Sequence, residues 1–266
     1  IESNNPFMRQ ENYSLLKCKN GFFWLENSDM ISKVMRFYGE WAENSIEVMR
    51  LFLEKGDVAI DVGANIGTIT MALAETVGES GKVYAYEGQR RIFYNLCTNI
   101  MLNSKFNIFA SRSLIGDKKG HLILTDQFDQ LEGRKLINRG SISFTEQMKS
   151  EIQPEAGCDK INMNTLDDEL ENLDSVKLIK IDTEGAEPAV LRGAAKIIRR
   201  HYPVVYLECG SEKLYQDEMP LLKSLGYRCY WHAALHYRND NYFNCGNITG
   251  HAGDLNIVAL PPKYWP

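Results

Sequence analysis

Between Gly56 and Glu208 the chain alternates short apolar runs with stretches of helical character, and that rhythm excludes most folds. The runs are VAIDV (58–62), KVYAYE (82–87), FNIFAS (106–111), LIKID (178–182) and PVVYLE (203–208), with helices predicted over 68–77, 90–103 and 186–200. A strand covered on both faces reads as a near-continuous apolar run, and parallel neighbours need a crossover helix between them. The expectation is an α/β fold built on a doubly wound, mostly parallel sheet.

The flanking segments read as additions to that sheet. Asn20-Gly21 between YSLLKCK and FFWLE predicts a β-hairpin over 13–26. Apolar residues at helical spacing from Met30 to Leu53, interrupted by Gly39, predict two helices. Residues 1–55 are therefore expected to be an N-terminal hairpin and helical cap over the ligand site, with the main domain in 56–266. Within that domain, 120–166 lapses into short β-like pieces (HLILT, GSISF, KINMNTL) around the polar DQFDQLEGRKLINR and reads as a β insertion. The tail supplies YRCYWH and LNIVALP as two more strands, and 231–256 is expected on the substrate side. Net charge is -5, so no basic surplus advertises nucleic acid or a membrane surface. No apolar run is long enough to span a bilayer. Six scattered cysteines without a Cys-x-x-Cys pair read as reduced thiols, hence a cytoplasmic protein. The start at Ile1 suits a domain fused to further sequence upstream.

The turn after the first strand of the sheet, Gly63-Ala64-Asn65-Ile66-Gly67, selects the ligand. A triphosphate loop needs a lysine after its last glycine, and Thr68 stands there. A dinucleotide turn needs three glycines for close approach to a pyrophosphate, and only two are present. Asp61, two positions before the first glycine, would repel phosphate and welcome a cation. Glu87 ends the next strand, where a carboxylate accepts the hydroxyls of an adenosine ribose. A cationic, phosphate-free adenosine compound satisfies both acids, and S-adenosylmethionine is one.

Four segments, GDVAIDVGANIGTIT, VYAYEG, TLDDEL and LIKIDTEGAEPAVLRGA, resemble the FkbM family of S-adenosylmethionine-dependent O-methyltransferases over roughly 56–209. The resemblance implies a Rossmann-like class I methyltransferase in which Asp61, Gly63, Asn65, Gly67, Thr68 and Glu87 hold the cofactor and Ser113 and Leu114 lie near its adenine. It also implies a hydroxyl acceptor, on a sugar or glycoconjugate. Tyr86-Glu87-Gly88 departs from the Phe-Glu-Pro more frequent in the family while keeping the acid.

Methyl transfer to a hydroxyl needs positioning and a group to take the proton. Asp182, at the end of LIKID, is the first choice as base, orienter or ligand of a divalent cation, with Glu208 a second acid on the same rim. A Mg²⁺ between them is left open. Glu184 and Glu187 read equally well as helix caps, and Glu184 is kept as an acceptor-binding candidate. His232 follows a strand and is the alternative base, while its spacing to His236 is that of a zinc pair on a helix but lacks the further ligands. Trp231, Asn241 and Asn244, with Tyr237, Tyr242 and Phe243, suit stacking on and hydrogen bonding to a glycan. Two rival functions share the turn: an NAD or nucleotide-sugar enzyme, and a non-catalytic adenosine-binding module of a glycan-building protein.

Overall fold

The computed structural model describes residues 9–10, 12–124 and 159–265. Its centre is a seven-stranded sheet. Five parallel strands, β4 (Val58–Val62), β5 (Lys82–Tyr86), β6 (Ile108–Ser111), β10 (Leu178–Ile181) and β11 (Val204–Glu208), lie in the order β6-β5-β4-β10-β11. An antiparallel pair, β12 (Arg228–Leu235) and β13 (Gly253–Leu260), is appended so that β13 sits against β11 and β12 forms the edge. The chain winds outward from β4 in one direction and returns to β10 to wind in the other. The switch between β4 and β10 opens a crevice at their carboxyl ends.

Side chains alternate across the strands, and each face has its own core. Ala59, Val83, Ala85, Leu178, Val204, Tyr206 and Val258 pack with α2 (Glu43–Arg50), α3 (Thr68–Val77) and α4 (Arg90–Leu102). Ile60, Val62, Ile179, Ile181, Val205, Leu207 and Ile257 pack with α6 (Glu187–Gly193), α7 (Ala195–His201) and α8 (Glu212–Ser224). Burial on both faces is why these strands read as unbroken apolar runs.

Three sequence expectations need adjustment. The single helix over 186–200 divides at Ala194, because Asp167 on the short α5 (Leu166–Glu169) accepts from the amides of Lys196 and Ile197 (3.0 and 2.8 Å) and caps a new helix start. Helix α8 was not anticipated; Pro220 interrupts its pattern, although Ser211 caps it in the ordinary way. His232 lies on a strand and His236 just past it, so helical spacing does not apply to them. In the insertion, β8 (Gly120–Leu124) and β9 (Asp159–Asn164) pair antiparallel, and β7 (Leu114–Ile115) joins β9 in parallel. GSISF and the polar segment before it lie outside the described residues.

The hairpin forms as β2 (Tyr13–Cys18) and β3 (Gly21–Glu26), with the two-residue β1 (Arg9–Gln10) beside β2. Helix α1 (Met30–Tyr38) ends at Gly39 in the left-handed region, with φ 70°. The free edge of β3 is closed by two asparagines one turn apart, Asn99 on α4 and Asn103 at its C-terminal cap. Asn103 accepts from Phe22 N and donates to Phe22 O (both 2.7 Å), and Asn99 accepts from Trp24 N (2.7 Å) while donating to Ile66 O (2.9 Å). Asn99 is fully buried. Asn99→Ala therefore strands a donor and an acceptor together, and urea unfolding should show a loss of about 2–4 kcal/mol, against a smaller loss for the more exposed Asn103→Ala. Among the described residues no helix is long and apolar enough to cross a membrane. Cys18, Cys97, Cys209, Cys229 and Cys245 form no disulfide.

Candidate active site

The glycine turn is stitched to the end of the neighbouring strand. The amides of Gly63 and Ala64 both donate to Tyr86 O (3.0 and 2.9 Å), and Asn65 N donates to Glu87 Oε2 (3.0 Å) while Gln89 N donates to Glu87 Oε1 (2.8 Å). Gly63 has φ 78°, and a Cβ there would lie 1.7 Å from the Asp182 carbonyl oxygen. Only glycine lets the two strand ends close on each other.

A cavity opens beside this turn, walled by Gly63, Glu87, Ser113, Leu114 and Asp182 among others. Glu87 faces it from the β5 end, and the β7–β9 sheet closes the far side with Leu114, Ile115 and Met163. The remaining cofactor candidates do not line this cavity. Gly67 and Thr68 start α3. Asn65 faces a second cavity. Asp61 is wholly buried, accepting from Thr70 Oγ1 (2.5 Å) and lying 3.0 Å from Lys180 Nζ, so it is not the open carboxylate that its sequence position suggests.

Burial raises the Glu87 carboxyl to about 7 against an ordinary 4.5. Ribose hydroxyls donate to the ionised form, which predominates above that value. S-adenosylmethionine affinity is therefore expected to be flat above about pH 8 and to weaken toward tenfold per unit below about pH 7. Calorimetry across that range checks it, with Glu87→Gln expected to remove the slope.

The second cavity lies on the α2–α3 face of the sheet. Its floor is two polar rows on alternate strand positions. Lys180 and Tyr206 pair in register between β10 and β11, and two residues on come Asp182 and Glu208, the latter in register with Asn256 of β13. Its roof comes from the N-terminal elements through Ile31, Trp41, Ala42 and Ser45. The N-terminal helices, expected from the sequence to cap the ligand site, cover this cavity. Asp182 and Glu184 border both cavities and form the wall where they meet.

The acids here crowd one another. Burial first, and the Asp182 charge second, push Glu208 upward, and the same causes raise Glu184 to about 7. Glu184 occupies the left-handed region, with φ 53°. Its loop is held by fully buried Glu187, whose carboxylate accepts from the amides of Thr183 (2.7 Å) and Gly185 (3.0 Å). Asp182, Glu184 and Glu208 offer three carboxylate oxygens within 4.8 Å of one another, a spacing one divalent cation can span.

Four tail candidates fall elsewhere. His232 meets Tyr206 Oη through Nδ1 (2.8 Å), one residue removed from the cavity, and burial pushes it below its ordinary value. Trp231 points to the opposite face, stacked on Tyr215. Asn241 is buried with its amide used inside its own loop, on Arg238 O, Cys245 O and Cys245 N. Asn244 sits in a left-handed turn of that loop, bordering neither cavity. A strand's alternation decides the first two, and a self-satisfied turn the others.

The sequence reading missed Trp41, Tyr206, Asp254 and Lys180. Only Lys180 left a signal: a lysine inside a strand buried on both faces requires a partner. It has three, Gly63 O at 2.7 Å, Asp61 Oδ1 at 3.0 Å and Asp182 Oδ2 at 3.5 Å.

Comparison with known proteins agrees with this architecture. The family described as Methyltransferase FkbM domain matches residues 61–229, more than half of the chain. "Methyltransferase 1" of Beauveria bassiana (strain ARSEF 2860) is 28% identical over 183 residues, covering 63% of this chain and 71% of that protein. Two solved structures share the fold. Methyltransferase FkbM from Methylobacillus flagellatus KT aligns with a TM-score of 0.52 at 17% identity, covering 78% of this chain, which spans 44% of that chain's length. Precorrin-6y C5,15-methyltransferase from Geobacter metallireducens GS-15 aligns with a TM-score of 0.50 at 11% identity, covering 82% of this chain and 86% of that one.

Proposed function

The chain belongs to the FkbM family of S-adenosylmethionine-dependent methyltransferases, and from that membership we propose that it methylates a hydroxyl of a sugar or glycoconjugate, with Asp182 orienting the hydroxyl and taking its proton. The observation that carries this reading is the shared wall: Asp182 borders the cofactor cavity on one side and the acceptor cavity on the other. S-adenosylmethionine bound beside Gly63 and Glu87 would supply its sulfonium methyl to the acceptor oxygen, the S–CH₃ bond breaking to leave a neutral thioether. The hydroxyl proton passes to the Asp182 carboxylate.

The acceptor cavity supports a polyol. Trp41 offers a flat face, tilted against His236 at 4.6 Å between centroids, and Ser45, Asn65, Tyr206, Glu208, Asp254 and Asn256 offer donors and acceptors around it. Incubation with trideuteriomethyl S-adenosylmethionine and a panel of glycosides tests the assignment by mass spectrometry. Label appearing as a methyl ether upholds it, and label confined to amines or carboxylates, or to none of the panel, defeats the hydroxyl-acceptor reading.

A further inference from the structure

We propose that the buried Lys180 ammonium sets the preference of the cofactor site between cationic S-adenosylmethionine and its neutral product, S-adenosylhomocysteine. The inference rests on the cofactor reading above and adds a role for a residue that touches neither the ribose nor the adenine side of the cavity.

Lys180 stands in the middle of β10 with its side chain 4% exposed. Its Nζ donates to the Gly63 carbonyl at 2.7 Å and lies 3.5 Å from Asp182 Oδ2, and both of those residues wall the cofactor cavity. The ammonium itself borders the acceptor cavity. A fixed positive charge is thereby held at the junction across which the methyl group must pass. Burial leaves its field little screened by solvent.

The two ligands share every contact made to the adenine, the ribose and the amino-acid end. They differ by one methyl group and one positive charge at sulfur, so a nearby fixed charge acts on one and not on the other. In the wild-type site the Lys180 charge is offset by Asp61, 3.0 Å away, leaving Asp182 as the uncompensated neighbour. Deleting the ammonium leaves two carboxylates uncompensated, which favours the cation. Deleting the Asp61 charge alone leaves the ammonium paired with Asp182, 3.5 Å away, and removes the excess negative charge, which favours the neutral product. Deleting both returns the local charge to its starting value.

The test is the ratio of dissociation constants, S-adenosylmethionine over S-adenosylhomocysteine, by calorimetry, which needs no acceptor. Lys180→Met should lower the ratio about tenfold, equivalent to about 1.4 kcal/mol. Asp61→Asn should raise it by a similar factor, Lys180→Arg should leave it within about twofold, and Lys180→Met/Asp61→Asn should restore it. Should Lys180→Met not fold, the opposed arms Asp61→Asn and Lys180→Arg still decide. A ratio constant across all variants, or one that stays shifted in the double variant, overturns the proposal in favour of a purely structural contact with Gly63. A wild-type protein that binds neither ligand overturns the cofactor reading itself, which separates the two failures.

Discussion

Gly63→Ala is expected to abolish useful cofactor binding, weakening S-adenosylmethionine at least a hundredfold, and to destabilise the fold by about 3 kcal/mol. The added methyl has nowhere to go. Its position is 1.7 Å from the Asp182 carbonyl oxygen, a backbone atom held by the parallel ladder in which Asp182 N donates to Val62 O (3.0 Å). The residue also sits at φ 78°, which costs any L side chain. Relief requires the ends of β4 and β10 to part, and these ends wall the cavity beside the turn and hold the Lys180 contact to Gly63 O. Urea unfolding and calorimetry measure the two effects. A variant that keeps wild-type affinity would show that the cavity beside the turn is not where the cofactor binds.

The second large effect is expected at Asp182→Asn, which should lower kcat about a thousandfold while S-adenosylmethionine affinity falls by no more than about tenfold, the shift expected for the loss of one carboxylate charge beside Lys180. Asparagine keeps the shape of the side chain and an oxygen toward Lys180, so the cofactor wall is preserved. It cannot accept the acceptor's proton. The carboxylate it replaces is 40% exposed, open to an acceptor in a way that wholly buried Asp61 is not. Rates are measured with whichever glycoside becomes labelled in the transfer assay. Undiminished turnover would remove Asp182 from the chemistry and leave Glu208 as the remaining acid of the rim.

The parallel strands and α3 were legible because they are buried on both faces or follow directly from a glycine turn, so local composition and tertiary role coincide. Helix boundaries near 194 and the whole of α8 were less so, since Asp167 capping α7 and the packing of α8 under the sheet are contacts between distant segments. The cavity beside the glycine turn was readable for the same reason as the strands: Gly63 and Glu87 belong to short motifs at strand ends. The neighbouring cavity was not. Trp231 and Asn241 looked like sugar-binding residues by type, yet strand alternation turns one to the far face and a local turn consumes the other.

By itself, then, the chain's order of apolar runs, turns and acids determined a doubly wound sheet and the glycine turn and acid at its strand ends, because each of those features is set by neighbours within a few residues. Tertiary structure alone decided that Asp61 is paired with Lys180, that the N-terminal helices roof the cavity floored by Tyr206 and Glu208, and that Asp182 stands between two cavities. Those outcomes depend on which residues fall opposite one another across parallel strands, a register created only when segments more than a hundred residues apart are hydrogen-bonded side by side.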